Sequence, residues 1–239
     1  MSSGVPDPLP PNVPSLPDSA WKRLCRWVID LAGWRIVGEL PNLSKVIIIG
    51  APHSSYWDGI WGLLMKSAMG LDLGVMIKRE VLNGPFGPVV RRLGMIPIDR
   101  GAAGGIVAQM VERFATHDAM WLGIAPEGTR KPVTQWKSGF LRIAYAADVP
   151  IQTVFIDYPS KSFTVGPLVR ATGDVEADLV AIRALFVGYR GKHRGGLSEA
   201  LDSWRCRESG GCREEMSRAG ALLRGSGCLD YRSEWPGSS

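Results

Sequence analysis

Apolar positions recur along the chain with two different periods, and the places where the period changes define the predicted elements. From Asp18, a suitable helix N-cap, to residue 37, Trp21, Leu24, Cys25, Val28, Leu31 and Ala32 share one helical face, and Lys22, Arg23, Arg26 and Asp30 lie opposite. Trp27 and Trp34 fall near the boundary, where an indole keeps its ring in an apolar layer and its N–H in water. This N-terminal amphipathic helix admits two readings, an interfacial membrane anchor or a helix packed on the core of the domain. A β-branched run at 45–49, ended by Gly50, predicts a buried strand. The pattern then predicts a helix over 56–69, a strand over 73–77, a short helix around 86–93 and a strand over 95–98. A helix over 105–116, a strand over 120–124, a helix over 139–147, a strand over 151–156 and a closing helix over 174–187 follow. Alternation of this kind predicts an α/β fold, a mixed, largely parallel sheet flanked by helices, with ligand loops at the carboxyl ends of strands.

Composition sets the limits of that domain. Six prolines in residues 1–17 forbid a continuous helix and predict an extended, poorly ordered lead-in. Beyond residue 193 the chain turns to Gly, Ser, Arg and Glu with little periodicity, so the folded domain is expected over 18–193 and a flexible tail over 194–239. With 45% hydrophobic and 21% charged residues the chain is of globular type, and it lacks the run of about 18 apolar residues that spans a bilayer. The net charge of +5 is too small a surplus to argue for nucleic acid. Four cysteines, Cys25, Cys206, Cys212 and Cys228, follow an N-terminus without a secretory signal, which predicts a reducing compartment. His193 with the last three cysteines lacks the paired spacing of a zinc site.

Chemistry gathers where strands end. After the first strand, His53 and Asp58 stand five positions apart at the entry to a helix. A carboxylate bonded to one imidazole nitrogen fixes the tautomer, and the other nitrogen is left to take a proton from a hydroxyl. No Gly-x-Ser-x-Gly elbow supplies a serine nucleophile, so the base would act on a substrate hydroxyl directly. Ser55-x-x-Asp58 is also a capping box, which would account for the aspartate without catalysis. The strand at 120–124 runs into Ala125-Pro126-Glu127-Gly128-Thr129-Arg130, where glycine permits close backbone approach and Arg130 suits bidentate phosphate contact. Asp99-Arg100 and Lys78-Arg79 close two further strands, so cations collect at strand ends, either for an anionic ligand or as solvated surface charges.

Together these segments resemble the glycerolipid acyltransferases of the 1-acylglycerol-3-phosphate acyltransferase family. His53, Ser55 and Asp58 match that family's first block, with Pro52 in the place of Asn. The segment from Gly94 through Pro97 to Arg100 resembles the second, and Glu127-Gly128-Thr129-Arg130 resembles the third, with Ala125 replacing a usual Phe. Val149-Pro150-Ile151 resembles the fourth, and Lys78-Arg79-Glu80 resembles the segment before the second. The resemblance implies a glycerol-3-phosphate acyltransferase-like fold and transfer of a fatty acyl group from a thioester of coenzyme A or acyl carrier protein. The acceptor implied is the hydroxyl of a lysophospholipid such as 1-acylglycerol-3-phosphate, with no other cofactor and no metal. His53 would be the base and Asp58 its orienting acid. Arg100 and Arg130 would hold the acceptor phosphate, Lys78 would be a weaker ligand, and Glu127, Gly128 and Thr129 would shape that pocket.

For the acyl chain, Trp57, Trp61, Leu63, Leu64, Phe86 and the flanking strands are candidates for an apolar groove, although residues at such helical spacing are more often core. Lipid substrates imply a peripheral location on the cytoplasmic side of a membrane. Three alternatives stay open. One is acyl transfer to an amino-lipid or sugar-lipid acceptor; another is a non-catalytic lipid-binding protein on the same fold. The third is a metal hydrolase using His53, Asp58 and His117.

Overall fold

In a computed structural model that describes residues 4–78, 93–99, 105–129, 133, 135–186, 189, 191 and 192, with Lys78 by its backbone alone, the β-branched run at 45–49 becomes the central strand of a seven-stranded sheet. In chain order the described elements are α1 (Ala20–Ala32), β1 (Arg35–Val37), β2 (Lys45–Ala51), α2 (Tyr56–Met69), β3 (Leu73–Lys78), β4 (Met95–Ile98), α3 (Gly105–Thr116), β5 (Met120–Ile124), α4 (Gly139–Ala147), β6 (Ile151–Asp157), β7 (Ser162–Val169) and α5 (Val175–Ala184). The sheet order is β1-β7-β6-β2-β5-β3-β4, parallel throughout except between β6 and β7.

Why β2 sits in the middle follows from its side chains, which are apolar on both faces. Val46 and Ile48 join a cluster with Cys25 and Ile29 of α1 and Met65, Ala68 and Met69 of α2. Ile47, Ile49 and Ala51 join the other cluster, with Met110 and Phe114 of α3, Phe140, Leu141 and Ile143 of α4, and Ile182 of α5. A strand buried on both sides requires helices on both faces, and the chain supplies two layers of them.

Three expectations need correction. The first helix is shorter than 18–37: Ser19, not Asp18, caps it by accepting from the Lys22 amide at 3.1 Å, and Gly33 ends it in the left-handed conformation with φ 75°. Trp34 is then buried and residues 35–37 form an edge strand on β7. Second, the proline-rich lead-in is extended but packed. Val5 and Val13 are buried, the Leu16 amide donates to Gly70 O at 2.7 Å, and Asp7 pairs with Lys22 and Arg26 at 3.2 and 2.7 Å. Prolines exclude a helix without excluding core contacts. Third, β7 was not anticipated. Gly166 and Pro167 interrupt its pattern, yet it pairs antiparallel with β6 after a tight turn, and Gln152 and Thr153 side chains bond to Gly166 O and Pro167 O across the irregular part of the ladder. The helix expected around 86–93, apart from residue 93, and the tail at 194–239 lie outside the described residues.

Candidate active site

Strand register brings three loops together. Ile49 lies opposite Ile124 across β2 and β5, and Ala51 lies opposite Phe155 across β2 and β6. The chain therefore leaves these three parallel strands at one edge, through His53, Glu127 and Tyr158 respectively. β3 and β4 end at the same edge, with Lys78 opposite Ile98.

Ser55 caps α2 by accepting from the Trp57 amide at 3.2 Å, and Asp58 Oδ2 accepts from the Ser55 amide at 2.6 Å. The capping box is thus formed, with an acid at the positive end of the helix. The same carboxylate, wholly buried, lies 3.8 Å from Nδ1 of His53. That separation suits an ion pair but is too long for a hydrogen bond; catalytic pairs often tighten only once substrate is bound. The other Asp58 oxygen accepts from the Tyr158 hydroxyl at 2.5 Å. The His53 side chain is 18% exposed and faces whatever enters the site.

Glu127 joins the second loop to the first. The His53 amide donates to both of its carboxylate oxygens, at 2.9 and 3.0 Å. Burial raises this carboxyl from its ordinary range to about 7; the His53 N–H opposes the rise and the nearby Asp58 charge adds to it. Gly128 follows at φ 63°, in the left-handed region that favours glycine, with the movable end of the Lys137 side chain lying over it. Thr129 is half-buried beyond it. The Asp99 backbone is clamped by Gln109 of α3, through bonds of 3.1 and 2.7 Å. Arg100 and Arg130, together with Arg79, Glu80 and Phe86, lie outside the described residues.

Between α2 and the sheet runs a cavity of about 410 Å³. His53 and Asp58 line it, as do Leu63, Met65, Met69, Leu71, Val75, Ile124 and Ile156. Measured along α2, Asp58 to Met69 is about 16 Å. Lys66 also lines the cavity, with its Nζ donating to Leu73 O at 2.5 Å and Leu93 O at 2.9 Å; burial lowers its pKa and Asp72 opposes this. Of the apolar candidates from the sequence, Leu63 lines the cavity. Trp57 and Trp61 instead stack at 6.3 Å and continue to Trp34 at 5.4 Å, and Leu64 packs against the core.

Comparison with known proteins bears on this arrangement. The profile of the Acyltransferase family matches residues 35–157, just over half of the chain and a span that holds β1 to β6 with His53, Asp58 and Glu127. The chain belongs to the acyltransferase family. It is also 30% identical over 161 residues to lysophospholipid acyltransferase LPCAT4 of Homo sapiens, and equally to that of Mus musculus. The match covers 63% of this chain, which spans about 29% of the length of those relatives. The 1-acyl-sn-glycerophosphate (LPA) acyltransferase PlsC from Thermotoga maritima aligns with a TM-score of 0.47 at 15% identity, over 79% of this chain and 80% of that one.

Within this acyltransferase-family chain, His117 does not join His53 and Asp58. It follows the last residue of α3, bonded to Arg113 O at 2.9 Å, and precedes the amino end of β5, at the opposite end of the strands from the site. The metal-hydrolase set is therefore not assembled. Sequence reasoning also missed residues that the fold delivers. Tyr158 arrives from 100 positions away, and Gly191 packs against Ser54 while Lys192 places its ammonium 4.7 Å from the Trp57 ring centre. No local motif marks any of the three.

Proposed function

We propose that this chain is an O-acyltransferase that moves a fatty acyl group from an acyl thioester to the hydroxyl of a lysophospholipid such as 1-acylglycerol-3-phosphate. Acyl-CoA or acyl carrier protein is the donor, and the work is done at the cytoplasmic face of a membrane. The observation behind this is one juxtaposition: an imidazole backed by a buried carboxylate at 3.8 Å, lining an apolar cavity of about 410 Å³. Membership of the acyltransferase family and the similarity to lysophospholipid acyltransferases support the same reading.

His53 takes the acceptor's hydroxyl proton as the oxygen attacks the thioester carbonyl. The tetrahedral oxyanion then collapses, the C–S bond breaks, and the thiolate recovers the proton from the imidazolium. Asp58 stabilises that imidazolium. The acyl chain lies along α2, in the cavity. Arg100, Arg130 and Lys78 take the acceptor phosphate, joined by Lys192, whose ammonium stands at the exposed Trp57 ring beside the His53 loop.

The purified chain should transfer label from acyl-CoA or acyl carrier protein to a lyso-glycerophosphate within a panel that includes amino-lipid and sugar-lipid acceptors. His53→Ala should lose a factor of about 100 to 10,000 in turnover with an unchanged unfolding midpoint. Parental turnover in that variant would remove the catalytic assignment, and preference for a sugar or amino lipid would replace the acceptor.

A further inference from the structure

Asp58 has two oxygens and two fixed donors. Oδ2 accepts from the Ser55 amide at 2.6 Å and faces His53 Nδ1 at 3.8 Å, while Oδ1 accepts from the Tyr158 hydroxyl at 2.5 Å. A carboxylate tethered through one oxygen can swing about its last torsion; tethered through both, it is held in a single plane. The second tether comes from a rigid place. Tyr158 follows the last residue of β6 and opens the turn into β7, where Asp157 accepts from Ser160 N at 3.0 Å and Lys161 N donates to Tyr158 O at 3.2 Å. Its ring meets Trp34 edge-on, at 5.1 Å and 89°. Trp34 in turn is buried and stacked on Trp61.

We propose that Tyr158 is a positioning residue for proton transfer, its hydroxyl holding the Asp58 carboxylate in the orientation that serves the His53 imidazole. This deepens the acyltransferase reading above and rests on it. Burial, the bond to Asp58 and the charge of Asp58 all push the phenol's pKa upward, so Tyr158 stays a donor throughout the working range and takes no proton itself. Among the described residues, the titratable and charged groups near Asp58 are His53 on the first loop, Glu127 after β5 and Tyr158 after β6, and Lys66 lines the same cavity. Of these, Tyr158 is the one that touches Asp58 through a neutral donor.

The test is a kinetic cycle on the full chain with labelled acyl-CoA and 1-acylglycerol-3-phosphate, comparing the parent with Tyr158→Phe, Asp58→Asn, the double variant and His53→Ala. The phenylalanine ring keeps the packing on Trp34, and unfolding midpoints are measured alongside. Loss of a bond to a charged group should lower kcat roughly tenfold to a hundredfold in Tyr158→Phe, with KM for the acceptor little changed. The bared carboxylate should favour the imidazolium more strongly, so the acid limb of the pH profile should move to higher pH. On the Asp58→Asn background, Tyr158→Phe should cost nothing further. A tyrosine that only filled space would move neither the pH limb nor the coupling. An unchanged kcat and profile in Tyr158→Phe, or its full loss repeated on Asp58→Asn, would overturn the inference while leaving His53 as the base. Parental turnover in His53→Ala would instead remove the acyltransferase reading, and this inference with it.

Discussion

Glu127 is recognisable in the sequence, and the fold gives it a partner, the His53 amide, that no local pattern names. The resemblance implies a place for it in the substrate pocket; both of its oxygens accept from the amide of His53, so its position is coupled to the His53 loop. Its raised pKa makes it a measurable burden on folding. Between about 4.5, its ordinary value, and about 7, the folded chain holds a proton that the unfolded chain has released, so stability falls as pH rises through that window. Glu127→Gln keeps an acceptor for His53 and removes the titration. Parent and variant should unfold alike near pH 5, and at pH 8 the variant should be more stable by at most ~3 kcal/mol. Equal pH dependence in the two unfolding curves would show that the carboxyl is not desolvated as described. His53 and Asp58 were legible because their spacing is local. Tyr158 was not, because its approach to Asp58 depends on β6 lying beside β2, a pairing that no local pattern encodes.

At the scale of elements, α2 was the most legible, since Ser55 and Asp58 mark its start and Gly70 its end. What it lends the cavity is nonetheless an absence. Gly59 and Gly62 line the cavity, and a Cβ at either would meet no heavy atom of a described residue within 4 Å. Helix interiors disfavour glycine by roughly 0.5–1 kcal/mol relative to alanine, so Gly62→Ala should raise stability by about that amount. Gly62→Leu should occupy cavity volume and shift the donor preference toward shorter acyl chains, read from turnover across a series of acyl-CoA lengths. An unaltered length preference would place the acyl chain elsewhere. The elements that escaped the sequence are those with conflicting signals. β7 contains Gly166 and Pro167, and α1 stops at Gly33 although apolar positions continue to Val37.

The molecule as a whole leaves a face of aromatic and aliphatic side chains in water, and that face belongs to the helix whose role the sequence left open. α1 packs on the core through one face and leaves the other open: Cys25 and Ile29 are in the core, while Leu24, Trp27 and Leu31 are 50, 61 and 73% exposed. The indole row of Trp34, Trp61 and Trp57 links the end of α1 to the start of α2, where Tyr56 and Ile60 are exposed as well. Among the described residues no helix is long and apolar enough to cross a membrane. A lipid surface is the occupant that the proposed function assigns to the face, with indoles at the headgroup boundary. Truncating residues 1–37 would be a poor test, because Val5, Val13, Cys25, Ile29 and Trp34 are part of the core. Trp27→Glu with Leu31→Glu changes only outward positions. Each side chain transferred from water to an apolar layer contributes about 1.5–3 kcal/mol, so the pair should reduce partition into sedimenting liposomes by roughly a hundredfold or more. The unfolding midpoint should not move, and turnover on a short-chain, water-dispersed acceptor should remain at the parental level. Unchanged sedimentation in that variant would show that the face is exposed for a reason other than lipid.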